Sequence, residues 1–229
     1  MNRNALFFLV IFSCLGYTTL SQTETVSVEP EDGKASYYAK KFQGRKTASG
    51  DIFSNYDYTA AHRTLPFNTY LNIINKSNNY NIIVRVNDRG PYAKNRVIDL
   101  SEAAARRIGG YNQGLVHVRV EVLNLLQLTP ELEQTYNAAP VVDCLGNVGE
   151  LSGVSLSLWS TDDLLHAVYI ANDLYLKENV KLVYIGHKSK SGKKKYHIII
   201  SGIESKEAAL KLKDNYERKG FMKVTFFEL

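Results

Sequence analysis

A mainly β barrel followed by a smaller α+β domain of βαββαβ order is the fold class that this 229-residue sequence predicts. Three observations carry it. Up to residue 122, apolar residues alternate in short runs broken by turns rich in Gly, Pro and Asn, with one short helical stretch between them. A small barrel closes such strands without leaving exposed edges. From residue 151 the pattern changes to strand, helix, strand, used twice, which is the signature of a ferredoxin-like module. The hydrophobic fraction of 45% and charged fraction of 22% are those of an ordinary globular protein with enough apolar residues for a core.

The chain opens with Met1-Asn2-Arg3 and an apolar stretch over residues 5–12, the length of a signal h-region and too short for a membrane span. Cleavage after Thr19-Leu20-Ser21 is expected. Lipoprotein processing at Cys14 is the alternative, although Phe12 is bulky for it. Either route exports the protein, and a membrane contact follows only from lipidation at Cys14. Removal of residues 1–21 takes away Arg3 and no acidic residue, lowering the formal charge from +5 to +4. It leaves Cys144 alone, so no disulfide staples the mature chain. The modest basicity suits an anionic polymer without saying which. Residues 22–32 are polar and acidic and read as a tether.

Order begins with a strand-like run at residues 33–39, followed by a loop over 42–52 too rich in small polar residues for a helix. Residues 70–74 and 80–86 alternate around a turn at 75–79 and form a hairpin. Ser101 is a good N-cap for a helix over 102–108 that Gly109-Gly110 ends. Val116, Val118, Val120 and Val122 mark the last barrel strand. Residues 124–150, with Pro130, Pro140, Gly146 and Gly149, read as a linker. Beyond it lie a strand at 154–158, a helix capped by Thr161-Asp162 with Leu164, Val168, Ala171 and Tyr175 on one face, and a strand at 181–185. A basic hairpin loop at 187–195 leads to a strand at 196–200. A Ser205-capped helix ended by Gly220 and a strand at 221–227 complete the repeat.

The chemistry concentrates in residues 84–101, where Asp88-Arg89 ends an alternating strand and Arg96 and Asp99 precede the helix. Turn residues Gly90-Pro91 lie between. Two carboxylates and two arginines in one short stretch fit a carboxylate-based active site. They also fit a turn-forming Asp and a helix-entry Asp, each paired with an arginine, and the spacing leaves both readings open. The five histidines, at 62, 117, 166, 187 and 197, have no ligand spacing, and no phosphate loop or aromatic-basic nucleic-acid motif occurs, so no cofactor or metal is expected.

Five motifs in register resemble one family: residues 33–38, 47–50, 59–66, 86–91 and 98–101, reading GKASYY, TASG, TAAHRTLP, VNDRGP and IDLS. This is the rare lipoprotein A (RlpA) family. The resemblance implies a six-stranded double-psi β-barrel over residues 33–123, and the C-terminal residues 151–229 look like a SPOR domain that binds peptide-stripped glycan. It further implies an exported, periplasmic or septal endolytic lytic transglycosylase whose partners are peptidoglycan strands and divisome proteins. Such an enzyme cleaves the MurNAc–GlcNAc β-1,4 bond with the sugar's own C6 hydroxyl as nucleophile, so a single carboxyl can serve first as acid and then as base. Carried onto this sequence, Asp88 and Asp99 are the candidate acid/base groups, unranked, with His62 as the third catalytic residue. Asp51, Tyr37, Tyr38, Thr47, Ser49 and Arg89 are the expected substrate-binding residues. Ser54 departs from the family, many members of which carry a carboxylate or amide there. The alternative is a catalytically silent, expansin-like glycan-binding protein.

Overall fold

Six strands build the barrel: β1 (Glu31–Tyr37), β2 (Thr59–Ala61), β3 (Tyr70–Asn75), β4 (Asn81–Asp88), β5 (Ile98–Leu100) and β6 (Val116–Val122). In the computed structural model, which describes residues 29–123, 128–177, 183–190 and 193–228, they close in the order β1-β5-β2-β4-β3-β6. The expected signal segment, Cys14 and residues 22–28 of the tether lie outside the described residues. Two pairs, β1/β5 and β2/β4, run parallel, and the other four run antiparallel. Alternation fixes which side chains fill the interior: Ala35, Leu71, Ile73, Ile82, Val84, Val86, Ile98, Leu100, Val118 and Val120 are all buried. The strand read from residue 33 starts at Glu31, inside the stretch expected as a tether. The helix α1 (Glu102–Arg107) forms as expected, with Ser101 Oγ accepting from the Ala104 N–H.

The second unit is a five-stranded sheet. Its strands β8 (Val154–Thr161), β9 (Val183–Lys190), β10 (Lys193–Ile203) and β11 (Thr225–Phe226) alternate with α3 (Leu164–Lys177) and α4 (Lys206–Arg218), giving the βαββαβ order. They lie as β11-β8-β10-β9, every neighbour antiparallel. Four local readings change. The strand read at 221–227 shrinks to the two residues of β11, because 221–224 form a turn. The stretch read as a linker holds α2 (Pro130–Ala138) and β7 (Val141–Asp143), and β7 adds itself to the free edge of β9. The lysine-rich stretch read as a loop is mostly strand, β9 running to Lys190 and β10 starting at Lys193. The α3 cap is Asp163, whose Oδ1 accepts from the His166 N–H, while Thr161 Oγ1 accepts from Asp163 N instead.

The two units dock. Sequence periodicity gives α3 one apolar face, yet Ala167, Val168, Tyr169, Ile170, Ala171 and Leu174 are all buried, because the helix lies between its own sheet and the outer face of β4. That contact also explains why Ile82, Ile83 and Val84 are buried in succession on β4. At the seam Trp159 stacks on Tyr58 at 4.6 Å and donates its indole N–H to the Tyr56 carbonyl at 3.2 Å. His166 donates from Nε2 to Ile83 O at 3.0 Å, and Tyr70 donates its hydroxyl to Asp163 Oδ2 at 2.5 Å. The turn after α4 presses Gly220 against the backbone of Arg106 and Arg107 at the end of α1.

Candidate active site

Asp88 and Asp99 lie on one row of the barrel wall. The register places Ser36 (β1) beside Asp99 (β5), Asp99 beside Ala61 (β2), and Ala61 beside Asp88 (β4). Two strand spacings therefore separate the carboxylates, roughly 10 Å between Cα atoms, and the step to β4 crosses a register shift at Asn87 that takes Asp88 out of the alternation of Val84 and Val86. Gly90 folds over the row: with φ at +142°, a conformation that favours glycine, the position a Cβ would take lies 3.7 Å from the Ala61 Cβ and 3.9 Å from Asp99 Oδ2.

The surroundings of the two carboxylates differ. Asp88 accepts three hydrogen bonds: the Tyr38 hydroxyl on Oδ2 at 2.7 Å, and the Ala48 and Arg89 amides on Oδ1, each at 2.8 Å. It thus ties the loop of residues 47–51 and its own strand end together. Asp99 is held on one side only. Ser36 donates to Oδ1 at 2.5 Å and Arg96 Nε lies 3.4 Å from the same atom. Among the described residues Oδ2 receives no hydrogen bond, and the side chain is 18% exposed. Burial, followed by the hydrogen bond to Asp88, holds the Tyr38 phenol well above its ordinary range, so it stays a donor at any working pH.

The remaining expected residues divide. Thr47 and Ser49 pair through their hydroxyls at 3.0 Å, and the Ser49 N–H donates to Asn87 O, so both shape the loop beside Asp88. Asp51 closes that loop, with Oδ2 taking Arg85 at 3.0 Å and the Asn87 amide at 3.3 Å. Tyr38 reaches the site through its hydroxyl while its ring packs on Phe42 and Phe53. Tyr37, one residue from Ser36 on the strand, points to the opposite side and packs on Tyr111 at 4.8 Å. Arg89 turns away from the carboxylates: its guanidinium donates to His62 O and Leu65 O and lies 3.7 Å over Phe67. The His62 imidazole is buried and contacts neither carboxylate. Its Nδ1 accepts the Leu65 and Thr64 amides, which puts the proton on Nε2, 3.4 Å from Glu31 Oε2. Ser54 serves its own turn, accepting from Tyr56 N and bonding Asp57.

Three contributors carry no role in the sequence reading. Ser36 lies in a quoted motif, but only the barrel register reveals it as the partner of Asp99. Arg63 donates to the carbonyls of Pro91, Ala93 and Arg96, holding the loop that brings Arg96 to Asp99. Glu31 sits in the stretch read as a tether. Among the described residues the one free thiol is Cys144, which is buried, and burial pushes it up to about 11, which makes it a poor nucleophile. Among the described residues no cluster of His, Cys, Asp and Glu could hold a metal ion.

A family model described as "Lytic transglycolase" matches residues 30–120, the barrel. The chain is 53% identical over 111 residues to the endolytic peptidoglycan transglycosylase RlpA of Pasteurella multocida, covering 48% of this chain and 37% of that protein. It is 35% identical over 203 residues to the RlpA of Helicobacter pylori strain J99, covering 85% of this chain and 63% of that one. The chain thus spans less than two thirds of these relatives. Among solved structures, an expansin of Clavibacter michiganensis in complex with cellohexaose aligns with a TM-score of 0.35 at 14% identity, over 56% of each chain.

Proposed function

We propose that this chain, which belongs to the RlpA family through its barrel, is an exported endolytic lytic transglycosylase that cuts the glycan strands of peptidoglycan. The observation that carries the reading is the asymmetry of the carboxylate pair: Asp99 offers an uncommitted oxygen, and Asp88 is locked by three donors. In this reading the acid form of Asp99 gives its proton from Oδ2 to the glycosidic oxygen as the C1–O bond breaks. The C6 hydroxyl of the same muramyl sugar attacks C1, and its proton returns to Asp99. The products are a new 4-hydroxyl and a 1,6-anhydro end, with no water consumed and Asp99 restored. Asp88, with its oxygens fixed, provides a stationary negative charge for the positive charge that develops at C1. Ser36 and Arg96 fix the reactive carboxyl's orientation, and Tyr38 and Ala48 fix the other. His62 acts through the fold of residues 62–66 rather than on substrate.

Residues 33–123 are then the catalytic barrel and residues 151–229 a SPOR-like module that holds glycan and brings the enzyme to the septal wall. The βαββαβ order supports the module's class. Among the described residues no helix is long and apolar enough to cross a membrane. The test is mass spectrometry of peptide-free glycan after incubation with the protein. Fragments with 1,6-anhydro ends, lost in Asp99→Asn, support the assignment. Reducing ends would make water the nucleophile. Uncut strands that co-sediment with the protein would leave an expansin-like binder.

A further inference from the structure

The second unit touches the candidate site through Arg85 on β4, for which the sequence suggests no role. Its guanidinium meets three partners: Nη1 donates to Asn68 Oδ1 at 2.8 Å, Nη2 pairs with Asp51 Oδ2 at 3.0 Å, and Nε lies 3.5 Å from Asp163 Oδ2. The two carboxylates belong to different parts of the molecule. Asp51 closes the 47–51 loop, whose Ala48 amide holds Asp88. Asp163 caps α3 and receives the Tyr70 hydroxyl, so its position is set by how the second unit docks. The arginine side chain is only 18% exposed, which limits screening of both pairs.

The loop needs such an anchor. Ala48 and Gly50 are exposed, and of its residues only Thr47 is buried, so it has little apolar surface with which to fix itself. Its placement rests on polar links: Ala48 N to Asp88, Ser49 N to Asn87 O, and Asp51 to Arg85 and Asn87. A planar guanidinium can face two carboxylates and an amide at once, whereas a lysine ammonium is a single point. We propose that Arg85 is a positioning residue through which the docked second unit sets the 47–51 loop against Asp88. Only the turnover arm of its test rests on the transglycosylase reading.

The experiment uses the full chain and three variants, Arg85→Met, Arg85→Lys and Asp163→Asn. Asparagine keeps the helix cap but removes the charge facing Arg85. Amide hydrogen exchange is followed at residues 47–51 and, as the folding control, in β3 and β6. Turnover is measured on peptide-free glycan. In Arg85→Met and Asp163→Asn, exchange at 47–51 should rise about tenfold with β3 and β6 unchanged. The rate constant kcat should fall about tenfold, KM should move less than about twofold, and Arg85→Lys should recover part of both effects. Exchange at 47–51 that stays at the wild-type rate in a folded Asp163→Asn overturns the proposal, whatever the turnover. Raised exchange in the variants of a chain that never cuts glycan supports Arg85 and counts against the enzymatic reading alone.

Discussion

Acidification should loosen the seam between barrel and second unit, and His166 gives the size of the effect. The imidazole is 2% exposed, donates from Nε2 to Ile83 O, and packs edge-on against Trp159 and Tyr70. Burial pushes it down from 6.5 to about 4; the Arg85 charge works in the same direction, and the Ile83 carbonyl and Asp163 oppose it. The folded chain therefore keeps His166 neutral at pH values where the unfolded chain protonates it. Stability from this group is complete above about pH 6.5, is lost as pH falls towards about 4, and changes no further below that. At 1.36 kcal/mol per pH unit the loss is about 3 kcal/mol, a large share of a typical folding free energy of about 5–15 kcal/mol. Urea unfolding of the wild type and His166→Gln from pH 7.5 to 4 measures it. Glutamine can still donate to Ile83 O but does not titrate, so the difference between the two proteins should shrink by about 3 kcal/mol over that range. Asp57, whose carboxyl burial pushes up, titrates with the opposite sign, but it is present in both proteins and drops out of the difference. Two curves that stay parallel from pH 7.5 to 4 would refute the reasoning.

Other substitutions probe the site and the seam. Asp99→Asn should lower turnover by about 10²–10⁴-fold while leaving the unfolding midpoint near wild type, read by anhydro-product formation and urea titration. Gly90→Ala puts a methyl in contact with Asp99 Oδ2 in a backbone conformation L-residues avoid; turnover should fall, and denaturant unfolding should register a cost of about 1–3 kcal/mol. Gly220→Ala builds a Cβ 2.7 Å from the α1 backbone at φ +93°, and should speed exchange in α1 and at the seam before the barrel strands respond. Trp159→Ala removes a 7% exposed indole stacked on Tyr58 and should cost about 3–5 kcal/mol in urea unfolding.

The strands of the barrel were legible because each one buries alternate residues, and a period of two survives in the sequence whatever the topology. The cap at Ser101 was legible for a reason as local, whereas the candidacy of Asp88 and Asp99 came from the family resemblance, their spacing leaving a structural reading open. What stayed hidden is contact between distant segments. Ser36 is an unremarkable strand serine until parallel pairing of β1 with β5 sets it beside Asp99. His62 is a catalytic candidate by the family resemblance, and its ring contacts with Glu31 and two loop amides appear only in the fold. α3 shows one apolar face because periodicity reports only the stronger of its two buried sides. The span from 124 to 150 lacks periodicity because a nine-residue helix and a three-residue strand are too short to display one.

The docking of α3 on β4 bears on how this protein can be dissected. A fragment ending near residue 123 would keep every barrel strand, yet it would bring Ile83, Tyr58 and Tyr70 to solvent and leave Arg85 without Asp163. Such a fragment carries a sticky scar on its outer wall and a slackened loop beside Asp88. A weak or aggregating isolated barrel would then report where the chain was cut, and say little about the chemistry of its carboxylates.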